Sequence, residues 1–431
     1  MMLPPQVSKD IRDSRALLKD LAAISEFGGR FAGTPGERGV RRWLAERLSR
    51  SAAVQEHAFA YQGWRAVEAR LERLGKMASQ VPCHALVRSP RAEDIEAEVI
   101  DLSRGSPDDF ERNRAKLRGR IAMVRHEYPF AQSSIHRRIK YECSRDNGCV
   151  GFIIANNLPD GGLVTGSSGQ GGSDDIPAVG ISYDSACLLT EVNRVRLNLK
   201  TESFSARGVN LVAELPGVTS QVVVLCAHYD GHDLAESAMD NATGVAAVLR
   251  ILEAFNPYSE MFQRTLRVIL FTNEEWRLYG SQRYVDELSD EARQRIALAI
   301  SLDTLAGSPR LACLTGGFPE LDLLVADAAQ AAGRNVDIVP RLLRNSDHFS
   351  FADRGIPAMR VVAGFDEPNA RTRYILTQGD RCDKIEAHEL EDATHFAAEL
   401  TWQALTGEAG MPHRKAVRNP SERSTTTGKF S

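Results

Sequence analysis

The second half of the chain alternates continuous apolar runs with segments of helical periodicity. Three of the apolar runs have the length and composition of buried strands: VVVLCAHY from Val222, TLRVILFTN from Thr265 and ALAISLDTL from Ala297. Between and after them lie amphipathic stretches such as NATGVAAVLRILEAF and ELEDATHFAAELTWQAL. Fully apolar strands that alternate with helices are typical of a parallel sheet covered on both faces. We therefore expect an α/β fold with a mostly parallel sheet flanked by helices.

The pattern before Val222 is different and indicates an insertion. KDIRDSRALLKDLAAISEF and RGVRRWLAERLSR have helical spacing, whereas GRIAMVRH and CVGFIIANN have the short apolar pattern of strands. We expect residues 1–75 to begin the main domain, 76–202 to form an inserted β-rich domain, and 203–407 to complete the main domain. Residues 408–431 are polar, which is typical of a disordered tail.

Length, charge and cysteine usage narrow the class of protein. A chain of 431 residues suggests two domains, or one large domain with an insertion. The net charge of −4 gives no reason to expect nucleic acid or an anionic membrane as a partner. The first residues lack the basic and apolar regions of a secretory signal, and the seven cysteines are scattered without a CxxC pair. We therefore expect a cytoplasmic protein with reduced thiols.

Acidic and imidazole side chains follow the predicted strands, at the point where each strand ends. In an open α/β sheet, ligands bind at the carboxyl ends of the strands, so these side chains should lie together. They are His228, Asp230, Asp240, Glu274, Glu275, Asp303, Asp347 and His348. Crowded carboxylates repel one another unless a cation compensates them. A ligand set of nitrogen and oxygen without thiolate suits zinc, manganese or cobalt.

Each of these residues also has an ordinary structural explanation. Asp240 precedes a helix and could be only an N-cap, and the glutamate pair could be a solvated turn. The coincidence at several strand ends favours a metal site instead. In that interpretation Asp230 orients the imidazole of His228, and one glutamate binds the metal while the other is the general base.

Taken together, several segments resemble metallopeptidase family 28, which includes zinc aminopeptidases and the plasma glutamate carboxypeptidase type. The similar stretches are AHYDGHDLAESAMDNATGVAAVL, RTLRVILFTNEEWRLYGSQRYV, ISLDT, SDHFSFADRGIPA and GDRCDKI. The resemblance extends from about GGRFAGTPGE to Leu405. The middle segment, with LRGRIAMVRH and GCVGFIIANN, resembles the protease-associated (PA) domain that many members carry as an insertion.

The resemblance implies a centre of two metals and a role for each residue. Asp240 matches the aspartate that bridges the metals. His228 and Asp303 match the other ligands of one metal, and Glu275 matches a ligand of the second. The position of Glu274 is that of the general base.

One ligand position departs from the family pattern. The second metal is also bound by a histidine four residues before the aspartate of an HTxxDT-like motif. Here the motif reads LTQGDRCDK with Asp380 as its aspartate, so Leu376 occupies the ligand position. Leucine cannot bind a metal, and we expect one or two ions per chain depending on whether another residue replaces the histidine. His348 is the first candidate for this replacement.

Three functions are compatible with these observations. The first is a hydrolase that cleaves an amide or peptide bond with a metal-activated water, as an aminopeptidase or a carboxypeptidase. The second is a mononuclear member repurposed to a small non-peptide C–N substrate, as in glutaminyl cyclases of this fold. The third is a non-catalytic binding scaffold, as in transferrin receptors. The retained Glu274 favours the first.

The substrate side of the site is less clearly marked in the sequence. Arg344 is a candidate to bind a substrate carboxylate, since arginine binds carboxylates in a bidentate manner. Tyr374 could stabilise an oxyanion, and His232 could line the site, although a solvated loop is the better explanation for it. The partner we expect is a peptide or small-molecule amide, and the resemblance also allows a homodimer.

Overall fold

The computed structural model describes residues 2–75, 78–169, 171–191 and 194–407. The predicted tail, 408–431, lies outside the described residues. Three helices open the described chain: α1 Pro5–Ile11, α2 Ser14–Ser25 and α3 Pro35–Ser49. Their ends follow ordinary capping chemistry, since the side chain of Asp13 accepts hydrogen bonds at the start of α2 and Thr34 does so at the start of α3.

The insertion follows as a set of short strands and helices between two long strands. The first long strand is β1 Val54–Arg73. The elements of the insertion are β2 Ser79–Val81, β3 Cys83–Ala85, β4 Ala92–Asp101, α4 Pro107–Leu117, β5 Ile121–Arg125, α5 Arg137–Asp146, β6 Gly151–Ala155, β7 Ala178–Ile181 and α6 Tyr183–Glu191. The second long strand is β8 Arg194–Leu215.

The rest of the chain alternates strands and helices, as its apolar pattern predicts. Its elements are β9 Val222–His228, α7 Thr243–Phe255, β10 Thr265–Phe271, α8 Tyr279–Glu287, α9 Asp290–Arg295, β11 Ile296–Leu302, β12 Leu311–Leu314, α10 Pro319–Ala332, β13 Val336–Val339, α11 His348–Ala352, β14 Ala358–Ala363 and α12 Ala387–Thr406. None of the helices in the described part of the chain is both long and apolar enough to cross a bilayer.

The central strands of the main domain are parallel and buried. Strand β9 pairs in parallel with β10 and β11, and β11 pairs in parallel with β14. Every position of β9 and of β11 is buried. The prediction of a mostly parallel sheet flanked by helices is therefore confirmed. Because the three neighbouring strands β9, β10 and β11 run the same way, the residues that follow them meet at one edge of the sheet.

Aromatic packing fixes the last helix against the end of α7 and the segment that follows it. The ring of Trp402 on α12 lies 5.3 Å from that of Phe255 and 5.6 Å from that of Phe262, centroid to centroid. All three side chains are fully buried. Such edge-to-face contacts add about 0.5–1.5 kcal/mol per pair to the contribution of burial.

The two long strands join the insertion to the main sheet. Strands β1 and β8 pair antiparallel along most of their length; β8 also pairs with β10 of the main domain and with β4 of the insertion. The order across the described sheet is β13-β12-β14-β11-β9-β10-β8-β4-β5-β6-β7-β3. Strand β8 crosses the predicted boundary at residue 202, so the limits of the insertion stay a prediction.

The inserted domain contains more helix than its sequence pattern suggests. The pattern predicts short strands separated by turns, and the structure adds α4, α5 and α6. The polar faces of α4 and α5 hide their apolar spacing. A local signal is present, since Ser106 and Asp109 form a capping box at the start of α4.

Candidate metal centre

Three strand ends bring a histidine and two carboxylates together. His228 is the last residue of β9, Asp303 follows β11, and Glu274 lies in the turn after β10. One donor atom from each of these residues lies within 4.8 Å of the other two. His228 and Asp303 are almost fully buried, and Glu274 is half-buried. The sheet topology thus assembles the group that the strand-end pattern predicts.

Asp240 reaches the same histidine from the irregular turn before α7. Its Oδ1 atom lies 3.2 Å from Nε2 of His228, and Oδ1 of Asp303 lies 3.8 Å from that nitrogen. The carboxylate of Asp380 holds the turn, because it accepts hydrogen bonds from the backbone N–H groups of Met239 at 2.7 Å and Asp240 at 3.2 Å. Asp380 therefore positions the aspartate that faces His228.

Asp230 acts on the glutamate pair more directly than on the histidine. Its carboxylate accepts the backbone N–H of Glu274 at 3.1 Å and that of Glu275 at 3.3 Å. Nδ1 of His228 lies 3.1 Å from the main-chain oxygen of Asp230 and 3.7 Å from its carboxylate. A carbonyl oxygen only accepts, so Nδ1 carries a proton and Nε2 faces the carboxylates. Both the main-chain oxygen and the carboxylate of Asp230 thus lie near Nδ1, and the orienting role of the carboxylate stays a prediction.

Buried polar atoms without partners show that this cluster fits a divalent cation. Nε2 of His228 and Oε1 of Glu275 form no hydrogen bond with any described residue. A buried polar atom without a partner is costly, and a cation held by a nitrogen and several oxygens would satisfy both atoms. The donor set has no thiolate, which is the ligand chemistry expected for zinc, manganese or cobalt.

Burial and like charges shift the pKa values of the cluster. Burial raises the pKa of Glu274 well above its ordinary value, and the negative charge of Glu275 raises it further. Burial also acts to raise the pKa of Asp303, but Arg360, at 3.2 Å, holds it low. For His228 burial acts to lower the pKa, which nevertheless lies well above its ordinary value because Glu274 and other carboxylates surround the ring. The imidazolium of His228 and the guanidinium of Arg360 thus supply positive charge that a bound cation would also supply.

A small pocket, referred to below as the second pocket, adjoins this cluster. Its lining includes Asp240, Glu275 and Leu376, the residue at the unexpected ligand position. The remaining lining residues are Thr165, His232, Ala235, Ser237, Thr377 and Asp380. Nε2 of His232 lies 2.7 Å from Oε2 of Glu275. The structure therefore places His232 at the glutamate of the second pocket.

Both parts of the fold match known protein families. Residues 210–401 match peptidase family M28, and residues 92–189 match the PA domain. The 210–401 segment belongs to peptidase family M28. The resemblance seen in the motifs is confirmed, and the inserted segment is a PA domain.

Three relatives illustrate how far the likeness extends. The probable lipoprotein aminopeptidase LpqL of Mycobacterium tuberculosis is 29% identical over 299 residues, 67% of this chain and 57% of that protein, so the chain spans less than two thirds of it. The zinc aminopeptidase BSAP of Bacillus subtilis superposes with a TM-score of 0.75 at 22% identity, covering 93% of this chain and 98% of that one. The peptidase M28 precursor of Shewanella amazonensis SB2B gives 0.78 at 21% identity, covering 95% and 97%. The two structural likenesses show the fold.

Three predicted site residues, His348, Arg344 and Tyr374, are not among the residues that line the second pocket. His348 is buried, and burial together with the nearby Arg360 lowers its pKa to about 3. Arg344 is exposed, and its guanidinium lies 5.4 Å from the ring of Phe349.

The hydroxyl of Tyr374 is already engaged. It donates to Oδ2 of Asp160 at 2.5 Å, which leaves it unable to donate to an oxyanion in this conformation. The role predicted for Tyr374 is corrected accordingly, because its partner comes from the PA domain, which the local sequence does not reveal.

Residues outside the sequence motifs also build the site. Arg30, in the segment between α2 and α3, is fully buried and donates to the main-chain oxygens of Tyr229, Glu236 and Ser237. The PA domain reaches the pocket through Thr165, whose N–H donates to the carbonyl of Leu376 at 2.8 Å. The sequence marks Arg30 only by its place in the glycine-rich stretch GGRFAG.

Proposed function

We propose that this chain is a metal-dependent peptidase that releases residues from the amino end of short peptides, with zinc as the metal and manganese or cobalt as substitutes. The observation that carries the proposal is the position of Glu274 beside His228 and Asp303 at the carboxyl edge of the sheet. The names of the relatives support the choice of an aminopeptidase activity. The small size of the pocket, which Thr165 of the PA domain also lines, supports short substrates.

His228, Asp240 and Asp303 would hold the cation, which supplies Lewis acidity that activates a water and polarises the scissile carbonyl. Glu274 is the general base in this scheme. One of its carboxylate oxygens accepts a proton from the attacking water as the new C–O bond forms. The same carboxyl then donates that proton to the leaving amine nitrogen as the C–N bond breaks.

Asp230 and Asp380 keep these groups in place. Asp230 holds the backbone of the glutamate pair, and Asp380 holds the turn that carries Asp240. Both sets of bonds join main-chain N–H groups to buried carboxylates, which is a strong and directional class of hydrogen bond. The main chain that carries the general base is therefore held by two hydrogen bonds.

The Glu274→Gln variant tests the proposal. We expect hydrolysis of aminoacyl p-nitroanilides and dipeptides to fall by about 10²–10⁴-fold, the range for loss of a general base. Metal content, measured by mass spectrometry of the purified protein, should stay unchanged. Glu111→Gln, at a glutamate 72% exposed on α4, is the matched control. Full activity of the Glu274→Gln variant would overturn the assignment, and absence of both metal and turnover in the wild type would overturn the function.

A cytoplasmic location is part of the same proposal. Each of the seven cysteines is unpaired, which supports a reducing compartment. Fractionation of cells expressing the full-length protein tests this, and recovery with the membrane or the medium would contradict it.

A further inference from the structure

The second pocket of the M28 domain lacks the histidine that the family resemblance implies. Leu376 occupies that position, and its side chain lines the pocket beside Asp240 and Glu275. An isobutyl group offers no lone pair to a cation. Any second metal therefore needs an imidazole or another donor from a different part of the chain.

We propose that His232 supplies this missing donor, so that Asp240, Glu275 and His232 form a second metal site despite Leu376. The inference rests on the metal centre proposed above and extends it to a ligand outside the family motif. The site keeps the expected chemistry of one imidazole nitrogen and two carboxylates, which suits zinc.

The ring of His232 is buried and faces the carboxylate of Glu275. The residue is 4% exposed, and its Nε2 atom lies 2.7 Å from Oε2 of Glu275. Neither ring nitrogen forms a well-oriented hydrogen bond with any described residue. Oε1 of Glu275 is also without a hydrogen-bond partner in the described part of the chain. A cation between the ring and the carboxylates would satisfy buried atoms on both residues.

The loop after β9 holds the ring in this position. The N–H of His232 donates to Oγ of Ser237 at 3.1 Å, and the ring stacks on Phe31 at 6.1 Å between centroids. Arg30 binds the main chain at both ends of the loop, with Nε 3.1 Å from the oxygen of Tyr229 and Nη2 2.9 Å from that of Ser237. A ligand fixed before the metal arrives loses little freedom on binding.

The loop is closely packed next to His232. A Cβ atom at Gly231 would lie 2.6 Å from the side chain of Ser237, so the chain turns there with no room to spare. Both ring nitrogens of His348, the alternative expected from the sequence, also lack hydrogen-bond partners among the described residues, but His348 is not among the residues that line the pocket with Asp240, Glu275 and Leu376. The geometry thus favours His232 over His348.

Metal stoichiometry distinguishes the two histidines. The full-length protein is equilibrated with excess ZnCl₂, desalted and analysed for zinc per chain, and zinc binding is followed by titration calorimetry. We expect about two ions per chain for the wild type and for His348→Ala, and about one for His232→Ala. His388→Ala, at an exposed position on α12, is the matched control. His232→Gln, which retains polarity and bulk, replaces the alanine variant if that one fails to fold by circular dichroism.

A compensating exchange gives the sharpest readout. Placing the histidine at the family position, as Leu376→His in the His232→Ala background, should restore the second ion. Cobalt in place of zinc provides a spectroscopic check, because the visible bands of the second ion should vanish in His232→Ala and return in the double variant. Two ions in His232→Ala, or one ion in an active wild type, would overturn this inference while leaving the proposed function intact. A wild type with neither metal nor turnover would overturn both.

Discussion

The Asp230→Asn substitution tests how the glutamate turn is held. In the wild type both carboxylate oxygens of Asp230 accept a backbone N–H, from Glu274 at 3.1 Å and from Glu275 at 3.3 Å. The side chain is fully buried. Asparagine has the same shape but only one acceptor oxygen, and its amide group would face an N–H donor. One buried N–H therefore loses its partner.

The size of the effect follows from these two hydrogen bonds. A bond to a charged acceptor contributes about 1.5–3 kcal/mol, and a neutral one about 0.5–1.5 kcal/mol. The substitution removes two hydrogen bonds to a charged acceptor and leaves one to a neutral acceptor. We therefore expect the free energy of unfolding to fall by about 2–5 kcal/mol. Turnover should fall as well, because the base at Glu274 is no longer held against the cluster.

Urea unfolding followed by tryptophan fluorescence measures this change. The protein is kept free of metal with a chelator, so that metal binding does not contribute to the stability. Asp327→Asn, at an exposed position on α10, is the matched control. An Asp230→Asn variant within about 0.5 kcal/mol of the wild type would refute the reasoning, since changes of that size are usual at unimportant surface sites.

Two further predictions concern the PA domain and the core. Burial, with Arg137 and Lys140 nearby, lowers the pKa of His126 from 6.5 to about 3, so the folded protein holds this ring neutral. The stability of the folded protein therefore falls as the pH drops from about 6.5 toward 3. His126→Gln should reduce the difference in unfolding free energy between pH 7 and pH 5 by about 2 kcal/mol, measured by urea titration, and an unchanged difference would contradict the assignment. Trp402→Ala should cost about 3–5 kcal/mol by the same assay, whereas Trp402→Phe should cost clearly less; equal costs would show that the aromatic contacts do not anchor α12.

Much of the main domain can be predicted from the sequence because its signals are local. Strands β9, β10 and β11 are continuous apolar runs, and parallel strands end at the same edge of a sheet whatever their distance in the chain. Polar residues directly after such runs therefore meet, and this rule alone groups His228, Glu274 and Asp303, which the fold brings together. The leucine at position 376, where the family has a histidine, can also be recognised from the sequence, because the position belongs to a short motif.

Contacts between distant segments leave no such local signal. The position of Tyr374 in the chain predicts that it faces an oxyanion, but its hydroxyl meets Asp160 of the PA domain. The helices α4 and α5 of the PA domain escape prediction because they bury few apolar side chains, Phe110 and Leu117 in α4 and Tyr141 in α5, so their apolar spacing is sparse. Neither outcome follows from a window of neighbouring residues.

The sequence by itself determined the α/β architecture, the family and the polar residues at the strand ends, because periodicity and strand direction act over short stretches. Only the tertiary structure decided which histidine faces the second pocket. His232 lines that pocket in a loop that Arg30 and Phe31, far away in the chain, hold in place, whereas His348 is not among the lining residues. Loop conformation depends on such packing between distant segments, and no local pattern encodes it.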